Sequence, residues 1–261
     1  HLYLHKPHPC DAGGKRVQNV RSTGKYAEAG NILEDLYNNS ALDGRPEGKA
    51  LTYNLAYSFF RDEEYEDAAK WFDKYIASGN KEFLKDALVR RADCDFIRKD
   101  YKAAVTGYEN VLTSYADPDD VYPYYQLGLA YGLSGDKKNK VTALSRVRNA
   151  SPSALLYPEA MYELGRAYID NGQDGQAIEN FEALKNNSKD GTYVAKALIE
   201  LGMIYRNRKD YDKALTYYKQ VVEDLPKNEL SEDAMLAIES IYQAKGEPEM
   251  YLAYSESVGN G

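Results

Sequence analysis

Apolar positions in this chain follow a helical period, and one helical pattern returns every 36 to 39 residues. Four stretches carry it: EYEDAAKWFDKYI (64–76), DYKAAVTGYENVL (100–112), QDGQAIENFEALK (173–185) and DYDKALTYYKQVV (210–222). Each places a small residue at one register, namely Ala68, Ala104, Ala177 and Ala214. An aromatic follows four residues later (Phe72, Tyr108, Phe181, Tyr218), and Tyr75, Val111, Leu184 or Val221 three after that. Spacing of i, i+4, i+7 marks one face of a helix. Residues 25–37 fit the frame with Ala29, Leu33 and Leu36, and residues 137–147 fit it with Lys140, Leu144 and Val147. The registers fall at 29, 68, 104, 140, 177 and 214, separated by 39, 36, 36, 37 and 37 residues.

A second helical pattern precedes each of these, as Leu55-Ala56-x-x-Phe59, Leu127-Gly128-x-x-Tyr131, Leu164-Gly165-x-x-Tyr168 and Leu201-Gly202-x-x-Tyr205. Its aromatic stands nine residues before the small-residue register. Turn signals such as Ser134-Gly135-Asp136, Asn171-Gly172 and Lys209-Asp210 separate the two helices. The unit is therefore a helix hairpin, with almost no strand signal anywhere. Small residues on the first helix (Ala56, Ala92, Gly128, Gly165, Gly202) are expected to face the small residues of the second, letting the axes approach closely. One hairpin cannot bury its own apolar surface, so stacking of neighbours must supply the core.

The pattern resembles the tetratricopeptide (TPR) family, whose signature is LG-x-x-Y followed by a small residue, an aromatic and an aliphatic, often with a closing proline. Leu164-Gly165, Tyr168, Ala177, Phe181 and Leu184 match it, as do Leu201-Gly202, Tyr205, Ala214, Tyr218 and Pro226. The resemblance covers residues 25–246 and implies an all-α fold, a right-handed superhelix of antiparallel hairpins. It divides the chain into an irregular leader (1–9) and one array (10–258). The array comprises a poorly matching first unit (10–48), repeats 49–84, 85–120, 121–157, 158–194 and 195–231, and a partial unit 232–258. The 36–37 residue period and the turn sequences are also similar to those of bacterial cell-envelope TPR proteins, of the outer-membrane assembly lipoprotein and Tol–Pal coordinator type. Periplasm or outer membrane is the location this second likeness implies. Two departures matter: Asp95 replaces the first-helix aromatic in 85–120, and Lys140 fills the small slot in 121–157, where looser helix packing is expected.

Composition narrows the function. The 261 residues carry a net charge of −8, which argues against nucleic-acid or anionic-membrane binding. Mean hydropathy is −0.65, and no segment reads as a transmembrane helix. Two cysteines, Cys10 and Cys94, exclude a disulfide scaffold. The chain opens on His1 and reads as a piece of a longer polypeptide. All three histidines, His1, His5 and His8, lie beside Cys10, but no second ligand cluster exists and no metal is expected. The AGGKR run (12–16) lacks phosphate-loop spacing. With no histidine after residue 8, a Ser–His or Cys–His pair has no base within the array. Neither an enzyme nor a cofactor is expected.

What stands out is 25 tyrosines against one tryptophan. The TPR resemblance implies that first helices line a concave face that holds a protein or peptide partner. The matching positions are Tyr53, Tyr57 and Phe60, then Phe96, then Tyr122, Tyr125 and Leu129. Tyr162, Arg166 and Ile169 follow, then Met203 and Arg206. Tyrosine and arginine are the types that anchor interfaces, offering rigid area with a polar tip. Clamping of a chain-terminal carboxylate is not expected, since Lys196 and Asn54 are isolated in different repeats. A tyrosine-lined groove suits sugar rings too, so a carbohydrate-binding envelope protein is the alternative. A second candidate surface is basic: Lys137, Lys138, Arg146 and Arg148, on the second helix of 121–157.

Overall fold

The computed structural model describes residues 26–39, 46–225 and 228–259. The leader, its histidines and Cys10, the 12–16 run and much of unit 10–48 lie outside the described residues. Contacts group the chain into two compact units, one up to Ala116 and one from Asp117 onward. The first holds α1 (Tyr26–Asn39), α2 (Pro46–Arg61), α3 (Tyr65–Ala77), α4 (Leu84–Ile97) and α5 (Tyr101–Ser114). The second holds α6 (Val121–Leu133), α7 (Lys137–Ser145), a 3₁₀ turn (Arg146–Asn149), α8 (Tyr157–Asp170), α9 (Asp174–Asn187), α10 (Gly191–Asn207), α11 (Tyr211–Glu223), α12 (Ser231–Lys245) and α13 (Pro248–Gly259). No strand occurs among the described residues.

Within each unit the helices pair as hairpins, and each hairpin packs on the next. In the first unit these are α2–α3 and α4–α5, joined through α3–α4; in the second, α6–α7, α8–α9, α10–α11 and α12–α13, joined through α7–α8, α9–α10 and α11–α12. First helices also touch one another: α2 meets α4, α6 meets α8, and α8 meets α10. This is the stacked-hairpin architecture of a TPR solenoid.

The hairpin turns are built alike. Glu63, Lys99, Gly135, Gly172, Lys209 and Gly246 all have left-handed φ, between 62° and 87°. They stand 36, 36, 37, 37 and 37 residues apart. In each turn the next residue's N–H donates to a carbonyl five residues back, as Asp100 to Asp95 at 2.9 Å, Gln173 to Tyr168 at 2.8 Å and Asp210 to Tyr205 at 2.9 Å. That bond closes the first helix by the Schellman arrangement. Aspartate then caps the second helix in three hairpins: Asp100, Asp136 and Asp210 accept from the N–H three residues on. Three of the six left-handed residues are not glycine, at a cost of about 1–2 kcal/mol each.

Ala68, Ala104, Ala177 and Ala214 are fully buried, as the register requires. Ala92 of α4 meets a small residue, since a Cβ on Gly107 of α5 would come within 2.7 Å of the Ala92 Cβ, but the first-helix glycines of three other hairpins face larger side chains than the small ones expected. A Cβ on Gly165 would run into the Phe181 ring, and one on Gly202 would come within 2.7 Å of Tyr218. On Gly128 it would come within 2.5 Å of Leu144. The first-helix glycine thus makes room for the large residue four positions beyond the alanine slot. Lys140 is accommodated in a similar way. Its stem lies over Gly132, where a Cβ would sit 2.9 Å from Cδ, and its ammonium reaches Glu163 on α8 at 3.2 Å. In α1, Leu33 is buried but Leu36 is 46% exposed, against the frame; Tyr37 instead sets its ring edge-on to Trp71, 5.0 Å away.

Candidate interaction surface

In the first unit two of the four expected groove residues are core. Tyr53 has no exposed surface: its ring stacks on Phe83 at 4.7 Å and packs against Tyr75 and Phe72. Its hydroxyl donates to Asp86 Oδ2 on α4 at 2.6 Å. Burial, reinforced by the Asp86 carboxylate, pushes this phenol far up, so it stays a donor. Phe60 is 3% exposed, wedged between Tyr65 and Phe72. These two residues pin α2 to its neighbours and offer a partner nothing. Tyr57 is half-buried between them, and half-buried Phe96 sets its ring edge-on to Tyr101.

Helix α4 also carries a buried polar network that the groove reading missed. Arg90 Nη1 lies 2.6 Å from Asp93 Oδ2, and Arg90 Nε lies 3.4 Å from Asp86. Tyr108 of α5 donates to the other Asp93 oxygen at 2.6 Å. The guanidinium also sits over the Phe60 ring. Asp95, in place of the expected aromatic, is nearly buried and pairs with Arg91 at 2.6 Å, while Arg91 Nε reaches Asp73 on α3. A sequence signal for this layer exists. Asn54, Arg90, Gln126, Glu163 and Glu200 recur at 36–37 residue spacing in the first helices, and all but Glu163 are buried.

In the second unit the same helix face is more open. Tyr122 is buried to 9% exposure at the start of α6, which removes it from the surface. Tyr125 and Leu129 on α6, Ile169 on α8 and Arg206 on α10 are half-buried. The Arg166 side chain is 49% exposed on α8, and Met203 is 40% exposed on α10. Leu129, Arg166 and Met203 occupy one register, 37 residues apart. Tyr162 is half-buried and engaged: its hydroxyl donates to Glu200 Oε1 at 2.9 Å, and Arg166 approaches the same oxygen at 3.4 Å. Its ring contacts Phe181 and Tyr193. Tyr162 therefore ties α8 to α10 as well as bordering the face. Lys196 holds its ammonium over Tyr193 at 4.7 Å and near Tyr162 at 5.8 Å, and makes no ion pair among the described residues. The basic residues Lys137, Lys138, Arg146 and Arg148 are all exposed, on α7 and its 3₁₀ turn.

Models of the tetratricopeptide repeat match residues 16–82, 159–190 and 195–228, together just over half of the chain. The chain belongs to the tetratricopeptide repeat family. The match over 16–82 takes in the N-terminal stretch that fits the pattern least well by inspection. No curated protein sequence matches the TPR chain. Solved structures resemble it at low identity. YrrB, described as a TPR protein with an unusual peptide-binding site, is 20% identical with a TM-score of 0.56, over 76% of this chain and 96% of its own. MamA from Desulfovibrio magneticus RS-1 is 21% identical with a TM-score of 0.54, over 66% and 90%. The apo form of RapI is 14% identical with a TM-score of 0.63, over 93% and 73%. These likenesses speak for the TPR fold alone. Among the described residues no helix is long and apolar enough to cross a membrane, and no cluster of metal-ligand residues occurs.

Proposed function

We propose that this TPR protein is a non-catalytic scaffold that holds an extended segment of a partner protein along the first helices of its second unit. The repeats support a protein-interaction role in general. The observation that carries the finer reading is the register Leu129, Arg166, Met203. Three successive repeats present there a side chain that the core does not consume, two of them substantially exposed. Tyr125, Ile169 and Arg206 border it, and the Lys196 ammonium adds a positive charge with no carboxylate partner among the described residues. Aromatic area with guanidinium donors is the chemistry of protein-interface anchors. Tyr53, Phe60 and Tyr122 are left out because their surface is already spent on packing. A cell-envelope location is part of the proposal, resting on repeat length and turn sequences, and fractionation of the source cells tests it.

A photo-crosslinking residue at Met203 should capture a protein partner in the source cells, while the same residue at exposed Thr216 on α11 should not. An Arg166→Ala, Met203→Ala variant should stay folded and weaken binding of the captured partner at least about tenfold, or about 1.4 kcal/mol. Equal capture from both positions would sink the first-helix reading.

A further inference from the structure

The chain is acidic, yet residues 137–158 hold five cations (Lys137, Lys138, Lys140, Arg146, Arg148) and no carboxylate. Lys140 is tied to Glu163. The other four are exposed and make no ion pair among the described residues. Lys137 and Lys138 sit in the first turn of α7, at the positive end of the helix dipole, where carboxylates would be the stabilising choice. Local helix stability does not account for them.

The opposite composition lies at the other end of the same unit. Residues 223–259 hold nine carboxylates and two lysines, a net charge of −7 out of −8 for the whole chain. Glu229, Glu232, Asp233 and Glu249 are exposed there without an ion pair among the described residues, while Lys245 is engaged with Asp212 and Glu247. The two regions are also the main sites of exposed large apolar side chains. Leu133, just before the basic segment, and Leu155, within it, are each 57% exposed. Leu236 and Leu252, each 62% exposed, and Met250 accompany the acidic one. Both surfaces thus combine unsatisfied charge with exposed apolar area, and the charges are of opposite sign. Helices α8 to α11 intervene between them in the stack, so they complement each other between chains.

We propose that the basic face of α7 and its 3₁₀ turn docks the acidic α12–α13 hairpin of a second copy of this chain. The contact joins two different surfaces, so it is heterologous and propagates head to tail instead of closing as a twofold dimer. It does not depend on the first-helix face, whose occupant is a different protein.

Sedimentation velocity over a concentration series tests it. At 0.1 M salt the screening length is about 10 Å, and at 1 M about 3 Å, so association should appear at the lower salt and be lost at the higher. It should grow beyond dimers as concentration rises. Arg146→Glu with Arg148→Glu, and separately Glu232→Lys with Asp233→Lys, should each weaken self-association at least about tenfold with an unchanged circular-dichroism spectrum. Mixing the two reversed variants should restore association, because each then presents the charge the other lacks. A wild-type chain that stays monomeric throughout would overturn the proposal. Association that survives 1 M salt, or either reversal, would do the same, and so would a mixture that fails to associate.

Discussion

Glycine is a steric requirement at Gly165, whereas at Gly175 it is only a loss of helix propensity. Gly165 faces the fully buried Phe181 ring, which has nowhere to move. Gly165→Ala should cost about 1–3 kcal/mol through overpacking, outweighing the propensity gain of about 1 kcal/mol. Gly175 lies in the first turn of α9 with nothing within 4 Å of a would-be Cβ. Gly175→Ala should stabilise by about 0.5–1 kcal/mol. Urea unfolding midpoints that move in the same direction for both would refute the glycine–aromatic packing. At this scale the sequence was readable for identity but not for partner. The LG-x-x-Y glycine was visible, yet a one-dimensional pattern could not say whether an alanine or a ring lay across from it.

Between elements, polar side chains set how one helix addresses the next. Asp93 serves both Arg90 and Tyr108 in a buried site, so Asp93→Ala should cost about 3 kcal/mol by depriving a guanidinium of its nearest counter-charge. Tyr108→Phe removes one hydrogen bond and should cost about 1–2 kcal/mol. Equal losses in thermal melts would mean that the guanidinium does not depend on Asp93. A second link joins α9 to α11, where Tyr217 donates to Glu182 at 2.6 Å and Lys185 lies at 2.9 Å. Burial alone would raise the Glu182 carboxyl, but these donors outweigh it and hold it below its ordinary range. A depressed carboxyl stabilises above its unfolded value of about 4.3, and the benefit is lost as pH falls through the lower folded value. Glu182→Gln should therefore flatten the acid limb of the melting-temperature profile; an unchanged limb would remove Glu182 from the pH dependence. The helices that carry the repeated pattern were legible because it recurs in register. The fate of the tyrosines was not. Tyr53 is sealed and Tyr125 is half-open at equivalent positions, because Phe83 and Asp86 on neighbouring elements close over the first. Those closing residues belong to no repeated motif. The left-handed backbone of Glu63, Lys99 and Lys209 was not legible, even where Lys209-Asp210 marked a turn, because only glycine advertises that conformation in a sequence.

At the scale of the molecule, stability in a stack is a sum over hairpins and their immediate neighbours. Ala214 lies at 0% exposure in the core shared by α10, α11 and α12. Ala214→Asp places an uncompensated charge there and should cost about 3 kcal/mol or more. Hydrogen exchange should lose protection across α10 to α12 while α2 to α5 keep theirs. Uniform loss, or none, would show that the repeats do not couple as near neighbours or that the register is wrong.

The fully buried sulfur of Cys94 has a practical consequence. Burial, with the Asp93 carboxylate beside it, pushes the thiol well above its ordinary range, and the reactive species is the thiolate. A thiol reagent reaches it only when α4 lifts from its neighbours. With Cys10 replaced by serine, the rate of modification becomes a clock for one hairpin, counting its openings without any foreign label. The chain carries its own reporter of how often a single repeat breathes.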